Sequence, residues 1–485
     1  MNKSGFEGFT STPKKAKKSR LFISILFSFL IIAGTFIGVC KLIEFFINNH
    51  NSNEPPTFPK MEISLAGAPI EKIDAEGKNI KYPNNTITIT TKDSSITYED
   101  VEIKGRGNST WQQIKKSYQI KFKNSESPLN LKADKKWVLL ANFADQSFLR
   151  NSTAFYLKKL INMDPFSEGS FVEVSIDGNY RGLYYLTDKI ELGKSRVNMN
   201  NQYGILVELD NLYGLSSECY YDKYDKMQNC LVAKEVVNED EEEASMKKFL
   251  YSFNLFLNAI KQKKYHEIEK LVDIESFAKY YLLNEFAANP DAYCTSFYMH
   301  KDGDTDKIHA GPGWDFDLSF GVEKDDDSII YSPDEDMALK KLLGNSSEAA
   351  YVNLSTTIVY DLMEIPEFEA RVKEIYQNTM SGKKDELLSY IREQADYIRP
   401  AATRDIERWK YDGNFDEEVD YLLDWVSKRY DHFEETYGQA SEESKEESWS
   451  KSNPKISAAL RSTFWSSSFA NGIRDLNKFT VSVCL

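Results

Sequence analysis

Two hydrophobic periods divide this chain, and their order constrains its fold more than any other feature. From Met61 the apolar residues alternate. ITITT (87–91), VEIKG (101–105) and SYQIKF (117–122) each place every second side chain on one face, the period of a half-buried strand. WVLLANF (137–143) and GILVELD (204–210) read as further strands. FVEVSIDGNYRGLYYLTDKIEL (171–192) reads as a hairpin about Asp177-Gly178-Asn179. One helix interrupts them: QSFLRNSTAFYLKKLIN (146–162) has apolar residues at helical spacing, with Asp145 in the N-cap place. After the acidic run Glu239–Glu243, suited to a helix start, the spacing becomes i, i+3, i+4. It holds in SMKKFLYSFNLFLNAI, in SFAKYYLLNEFAANP and over 357–437. Strands first and helices later, joined by loops at 289–336, predict an α+β fold of two lobes.

The N-terminal segment predicts a membrane anchor. Residues 21–40, LFISILFSFLIIAGTFIGVC, carry no charge, and twenty residues at 1.5 Å each span a hydrocarbon core of about 30 Å. Six cations precede them against Glu7 alone, a cytoplasmic signature under the positive-inside rule. Phe36-Ile37-Gly38-Val39 is a poor signal-cleavage site, and Val39 is large for a lipid-modified Cys40. An uncleaved signal anchor fits best. The expected order is a basic cytoplasmic tail (1–20), an anchor (21–47), a Pro-rich linker (48–59) and an extracytoplasmic domain (60–438). A Ser-rich, acidic, disordered tail (439–485) follows.

Composition removes several functions. A net charge of −15 disfavours a nucleic-acid partner, since phosphate backbones need a basic face. With five His, no HExxH and no CxxC, zinc sites are close to excluded. No G-x-S-x-G supports an esterase, and Gly193-Lys194-Ser195 lacks the earlier P-loop glycine, that position being Lys189. Paired carboxylates with abundant aromatics keep a glycosidase open. Cys219 and Cys230 flank a Tyr/Asp-rich loop that a disulfide can close; two unpaired thiols are the other reading.

Four features can carry chemistry. In Lys104-Gly105-Arg106-Gly107-Asn108-Ser109-Thr110 the glycines can admit an anion to backbone N–H groups, with Arg106 pairing phosphate; a plain strand turn explains them as well. Lys121 lies on the next strand, opposite in face to Tyr118, Ile120 and Phe122, as a phosphate lysine or a solvated one. Asn289-Pro290-Asp291 closes a helix. In GPGWDFDLSFG (311–321), Asp315 and Asp317 at i, i+2 lie on one side of an extended segment. Such hard oxygen ligands suit Mg²⁺ beside phosphate oxygens, and a capping pair would not need the flanking Trp, Phe and glycines.

These segments resemble the CotH kinase family, the spore-coat-H-like atypical protein kinases. The resemblance rests on KGRGNSTW (104–111), KKSYQIKF (115–122), KKWVLLANFADQSFLRN (135–151), GLYYLTDKIELGKSRVN (182–198), NEFAANPDAY (284–293) and GPGWDFDLSFG, in family order across roughly residues 60–435. It implies a divergent protein-kinase-like fold, strand-rich N-terminal lobe and helical C-terminal lobe, that transfers the γ-phosphate of ATP to Ser or Thr of proteins. Cell-envelope or spore-coat-like surface proteins rich in Ser/Thr would be the acceptors, and Mg²⁺ (or Mn²⁺) the metal. By the resemblance Asp291 is the catalytic Asp, Asp315 a metal ligand, and Lys121 with Arg106 holds phosphates. Ser296 stands where ordinary kinases carry a second metal-binding Asn, so either Asp317 takes that place or one metal binds. The partner of the lysine is Asp145 or Glu191; Glu191 alternatively touches the nucleotide. A CotH-like surface adhesin or envelope scaffold without turnover is the alternative function.

Overall fold

The computed structural model describes residues 58–107, 109–165, 167, 169–211, 229–293, 296–322, 332–334 and 354–438. Apart from Thr91–Asp93, the described residues belong to the larger of two compact units. The barrel, the second sheet and the helices all belong to the larger unit.

Seven strands close the barrel in the order β1-β2-β3-β4-β5-β7-β6. They are β1 (Lys60–Ser64), β2 (Tyr82–Thr90), β3 (Ser95–Arg106), β4 (Ser117–Glu126), β5 (Asp134–Leu140), β6 (Gly169–Ile176) and β7 (Asn179–Asp188). A parallel pairing of β1 with β6 completes the ring, so neither strand is left as an open edge. Ile63, Ile103, Ile120, Trp137, Val174 and Leu186 fill the interior. A helix α1 (Ile70–Glu76) adds Ile70 and Ile73 to that core.

The barrel's outer face is not all solvent. Val138 on β5, with Leu183 and Tyr185 on β7, joins the larger core built by the helices. Strands buried on both faces have no polar side to show, which is why WVLLANF does not alternate. Between β6 and β7 the turn is the two residues Asp177 and Gly178, with φ of 50° and 74°, as a right-twisted hairpin requires. Asn179 is the first residue of β7.

The helices are α2 (Arg150–Leu160), α3 (Glu242–Lys261), α4 (Tyr265–Leu271), α5 (Ile274–Ala287), α6 (Leu354–Met363), α7 (Pro366–Thr379), α8 (Lys384–Trp409) and α9 (Phe415–Tyr437). A four-stranded antiparallel sheet lies among them, order β11-β10-β8-β9, from β8 (Gly204–Asn211), β9 (Asn229–Val236), β10 (Phe297–Asp302) and β11 (His309–Ala310). Helix α2 begins four residues later than Gln146 because Phe148 holds a left-handed φ of 60°. Helix α5 is buried on nearly every face and is capped by Asp273, whose carboxylate accepts the Ser276 N–H at 2.8 Å.

The fold class is corrected on two points. The strand-rich part is a closed barrel with a second sheet set among the helices, giving a mixed α/β fold rather than strands followed by helices. And among the described residues no helix is long and apolar enough to cross a membrane. The anchor expected over 21–47 falls outside the described residues, as do most of the linker and the tail. The single-pass topology, the membrane partner and the extracytoplasmic location built on that anchor are withdrawn. Cys230 is disulfide-bonded, while Cys219 lies outside the described residues.

Candidate functional site

Helix α5 ends where Ala288 turns left-handed, at φ 46°. The chain then runs through Asn289, fully buried, to Asp291. Asn289 accepts the Asp291 N–H at 3.1 Å and donates to the carbonyls of Asn284 (side chain, 3.2 Å) and Trp314 (backbone, 3.4 Å). One side chain therefore ties the Asp291 turn to the segment carrying Asp315. The Phe320 N–H donates to Ala287 O at 2.6 Å, and from α9 the buried Arg429 donates to Glu285 and Phe286.

These bonds bring Asp291, Asp315 and Asp317 together. One carboxylate oxygen from each lies within 4.8 Å of the others, and all three side chains are half-buried. Asp315 holds a left-handed φ of 67°, a conformation uncommon outside glycine that costs about 1–3 kcal/mol and marks an overdetermined site. Three carboxylate oxygens this close repel unless a cation or a proton sits among them. A Mg²⁺ ion with ligands at about 2.1 Å asks for little closing of this set.

Arg106, on β3, stands next to this cluster. Its guanidinium lies 5.5 Å from the Trp314 ring centroid. Burial lowers its pKa, while Asp315, Tyr298 and Asp317 act in the opposite direction. The flanking glycines serve packing: a Cβ on Gly105 would lie 2.2 Å from the Trp111 ring, and one on Gly107, at φ 100°, would lie 2.0 Å from Thr110 Oγ1. Gly105 lies within β3 and Gly107 just past its end, so packing against Trp111 and Thr110 accounts for both, and Arg106 is the part of the motif that interacts electrostatically with Asp315 and Asp317.

Lys121 sits on the outer face of β4, opposite Glu102 on β3 and Lys136 on β5. It is half-buried, and no acid pairs with it among the described residues. The two acids weighed as its partner are engaged elsewhere. Asp145 is fully buried and binds Arg150 at 2.6 Å. Glu191, 2% exposed, pairs with Lys136 at 2.6 Å and Lys189 at 3.4 Å. Its other oxygen, Oε1, is buried without a hydrogen-bond partner among the described residues. Lys104, on the same strand as Arg106, has its pKa lowered by burial, then by Lys189 and Lys81.

Sequence reasoning missed Lys136, Lys158, Arg150 and Asn151, and it named Asn289 only as part of the helix-closing turn. Lys158 is fully buried on α2; burial lowers its amine to about 7, against the opposing pull of Asp188 and Asp164. A signal for two of them was present: Asn151, Phe155 and Lys158 fall at i, i+4, i+7, one stripe of a helix whose other stripe residues are apolar.

The chain belongs to the CotH kinase protein family, whose model matches residues 103–433. It is thereby a kinase-like protein, and the matched span contains Arg106, Asn289 and all three clustered aspartates. No curated protein matches the chain.

Proposed function

We propose that the chain is a metal- and ATP-dependent protein Ser/Thr kinase, and that the three aspartates with Arg106 are its reaction centre. The observation that carries this is the convergence of Asp291, Asp315 and Asp317 to within 4.8 Å. Phosphoryl transfer asks a protein for positioning, charge neutralisation and one carboxylate near the acceptor hydroxyl, and this set supplies each. Asp315 and Asp317 would hold Mg²⁺ or Mn²⁺, which when bound neutralises the phosphate oxygens. Arg106 and Lys121 would hold phosphates from the barrel side. Asp291 would orient the acceptor hydroxyl and take its proton. Glu191, with an unpartnered buried oxygen, fits a contact to the nucleotide better than the role of lysine partner to Lys121. Ser-rich surface or spore-coat-like proteins are the acceptor class that family membership suggests.

The grouping of three carboxylates, where a glycosidase uses two, speaks against that class. Its two carboxyl groups stand about 5–5.5 Å apart when retaining and about 6.5–9.5 Å when inverting, leaving room for a sugar or a water. Three within 4.8 Å are packed as cation ligands are.

The test is incubation of the full chain with γ-labelled ATP, Mg²⁺ or Mn²⁺, and a Ser-rich acceptor protein. Metal-dependent label on Ser or Thr supports the kinase. Nucleotide binding without transfer turns the reading to the non-catalytic scaffold.

A further inference from the structure

The segment DQSFLRN, Asp145–Asn151, has no part in the proposed chemistry, yet its polar residues are among the most buried in the chain. Asp145 and Arg150 have no solvent exposure, and Asn151 has 3%. Burying such groups costs stability unless their bonds are spent on something definite.

They are spent on the backbone around Asp315 and Asp317. Asn151 Oδ1 accepts the Phe316 N–H at 3.1 Å, the amide lying between the two aspartates. Arg150 Nε donates to Ser319 O at 3.0 Å, two residues past Asp317. Lys158 Nζ donates to Gly313 O at 3.3 Å, two residues before Asp315. Phe155 stacks on Trp314, with centroids 5.9 Å apart, and meets the edge of Phe316 at 6.2 Å. Helix α2 thus touches residues 313, 314, 316 and 319, which bracket both aspartates.

The gripping side chains are held in turn. Arg150 Nη1 donates to Asp145 Oδ1 at 2.6 Å, and Asp145 Oδ2 accepts the Arg150 N–H at 2.8 Å. Asn151 Nδ2 donates to Asn142 Oδ1 at 3.2 Å, just past the end of β5. Lys158 Nζ also donates to Ser167 Oγ at 2.9 Å.

We infer that Arg150, Asn151 and Lys158 on α2 are positioning residues: they fix the backbone of 313–319 from the barrel side so that Asp315, in its left-handed conformation, and Asp317 present their carboxylates as one metal site. This rests on the reading that these aspartates bind metal. Partners of this kind, one bond removed from the ligands, are worth about 10- to 100-fold in metal affinity.

Electrostatics and positioning give opposite signs for Lys158, which makes the test sharp. Removing a cation near a metal site should tighten metal binding by Coulomb attraction alone. If Lys158 acts by holding Gly313, Lys158→Met should weaken it. The experiment is calorimetric titration of the full chain with Mn²⁺, without nucleotide, for the parent, Asp315→Asn, Asn151→Ala, Asn151→Asp and Lys158→Met, with apo melting temperatures alongside. The expected result is metal affinity lowered about tenfold in Asn151→Ala and lowered in Lys158→Met. Asn151→Asp keeps the acceptor for Phe316 but loses the donor to Asn142 Oδ1, so its Mn²⁺ affinity should fall between those of Asn151→Ala and the parent. Variants that melt earlier but bind Mn²⁺ like the parent, a tighter Lys158→Met, or an Asn151→Asp as weak as Asn151→Ala would each overturn the inference. A parent that binds no metal, or binds it unchanged in Asp315→Asn, instead removes the proposed metal site and this inference with it.

Discussion

Lys115 Nζ lies 2.6 Å from Asp405 Oδ2, with neither side chain exposed to solvent. The amine also donates to Ala141 O at 2.8 Å and Leu183 O at 2.6 Å, and the carboxylate accepts the Leu183 N–H at 2.6 Å. The pair fastens α8 to the barrel at β7. Breaking such a pair from one side strands a buried charge, so Asp405→Ala should cost about 3–5 kcal/mol in chemical denaturation. Lys115→Met with Asp405→Leu should cost less than the sum of the single changes. Gly182→Ala should act at the same point, since its Cβ would stand 2.0 Å from Asp405 Oδ2 at a φ of 107°.

The two outer-face lysines of β4 and β5 should separate stability from binding. Lys136 is tied to the buried Glu191, whereas Lys121 has no acid partner among the described residues. Glu191→Gln should lower stability by about 1–3 kcal/mol through the weakened charged hydrogen bonds. Lys121→Met should melt like the parent and bind ATP more weakly. Thermal unfolding with and without Mg-ATP reads both. A Lys121→Met protein that melts earlier but keeps its full nucleotide shift would reverse this assignment.

Much of this was legible in the residues, for reasons that differ by element. β2 and β3 have one wetter face, and β4 places the polar Ser117, Gln119 and Lys121 between apolar residues, so their alternation is visible. The Asp177-Gly178 hairpin is visible because only a few residue types adopt its turn. Barrel closure was not legible, because the parallel pairing of β1 with β6 spans more than a hundred residues and leaves no local pattern. Of the second sheet only β8 was legible, as GILVELD; its partners β9 and β10 come from distant parts of the chain, and β11 is two residues. At the site, Asp315 and Asp317 stand out by spacing and setting, and Asp291 by its helix-closing turn. Glu191 was harder: its partner, Lys136, lies on a neighbouring strand, and strand order is not written in sequence separation. Arg150 and Asn151 look like helix-start polar residues until their backbone partners 169 and 165 positions away are known.

Acid should loosen the β10–β11 hairpin behind Gly311. His300 stacks on His309 at 5.1 Å and donates Nδ1–H to Gly311 O at 3.3 Å. Burial, then the neighbouring His309, lowers its pKa from 6.5 to about 4, while the bond to Gly311 and the acids Asp306 and Asp273 oppose this. The folded pKa lies below the unfolded one. Stability from this group is therefore complete above pH 6.5 and lost as pH falls to about 4, by up to about 3 kcal/mol. His300→Asn, which keeps a donor but cannot titrate, should flatten the acid limb of a stability-versus-pH curve over that window. An unchanged limb would place the proton uptake elsewhere.

The central claim is that Asp315 serves metal and nucleotide while Asp291 serves the acceptor hydroxyl. The most direct measurement pairs Mg-ATP binding, read by thermal shift, with labelled-phosphate transfer for Asp291→Asn and Asp315→Asn in the full chain. Asp291→Asn should keep the Mg-ATP shift and lose transfer by about 10²- to 10⁴-fold, the usual contribution of a general base. Asp315→Asn should lose both. Equal transfer by both variants and the parent, or loss of Mg-ATP binding in Asp291→Asn with its retention in Asp315→Asn, would contradict the account.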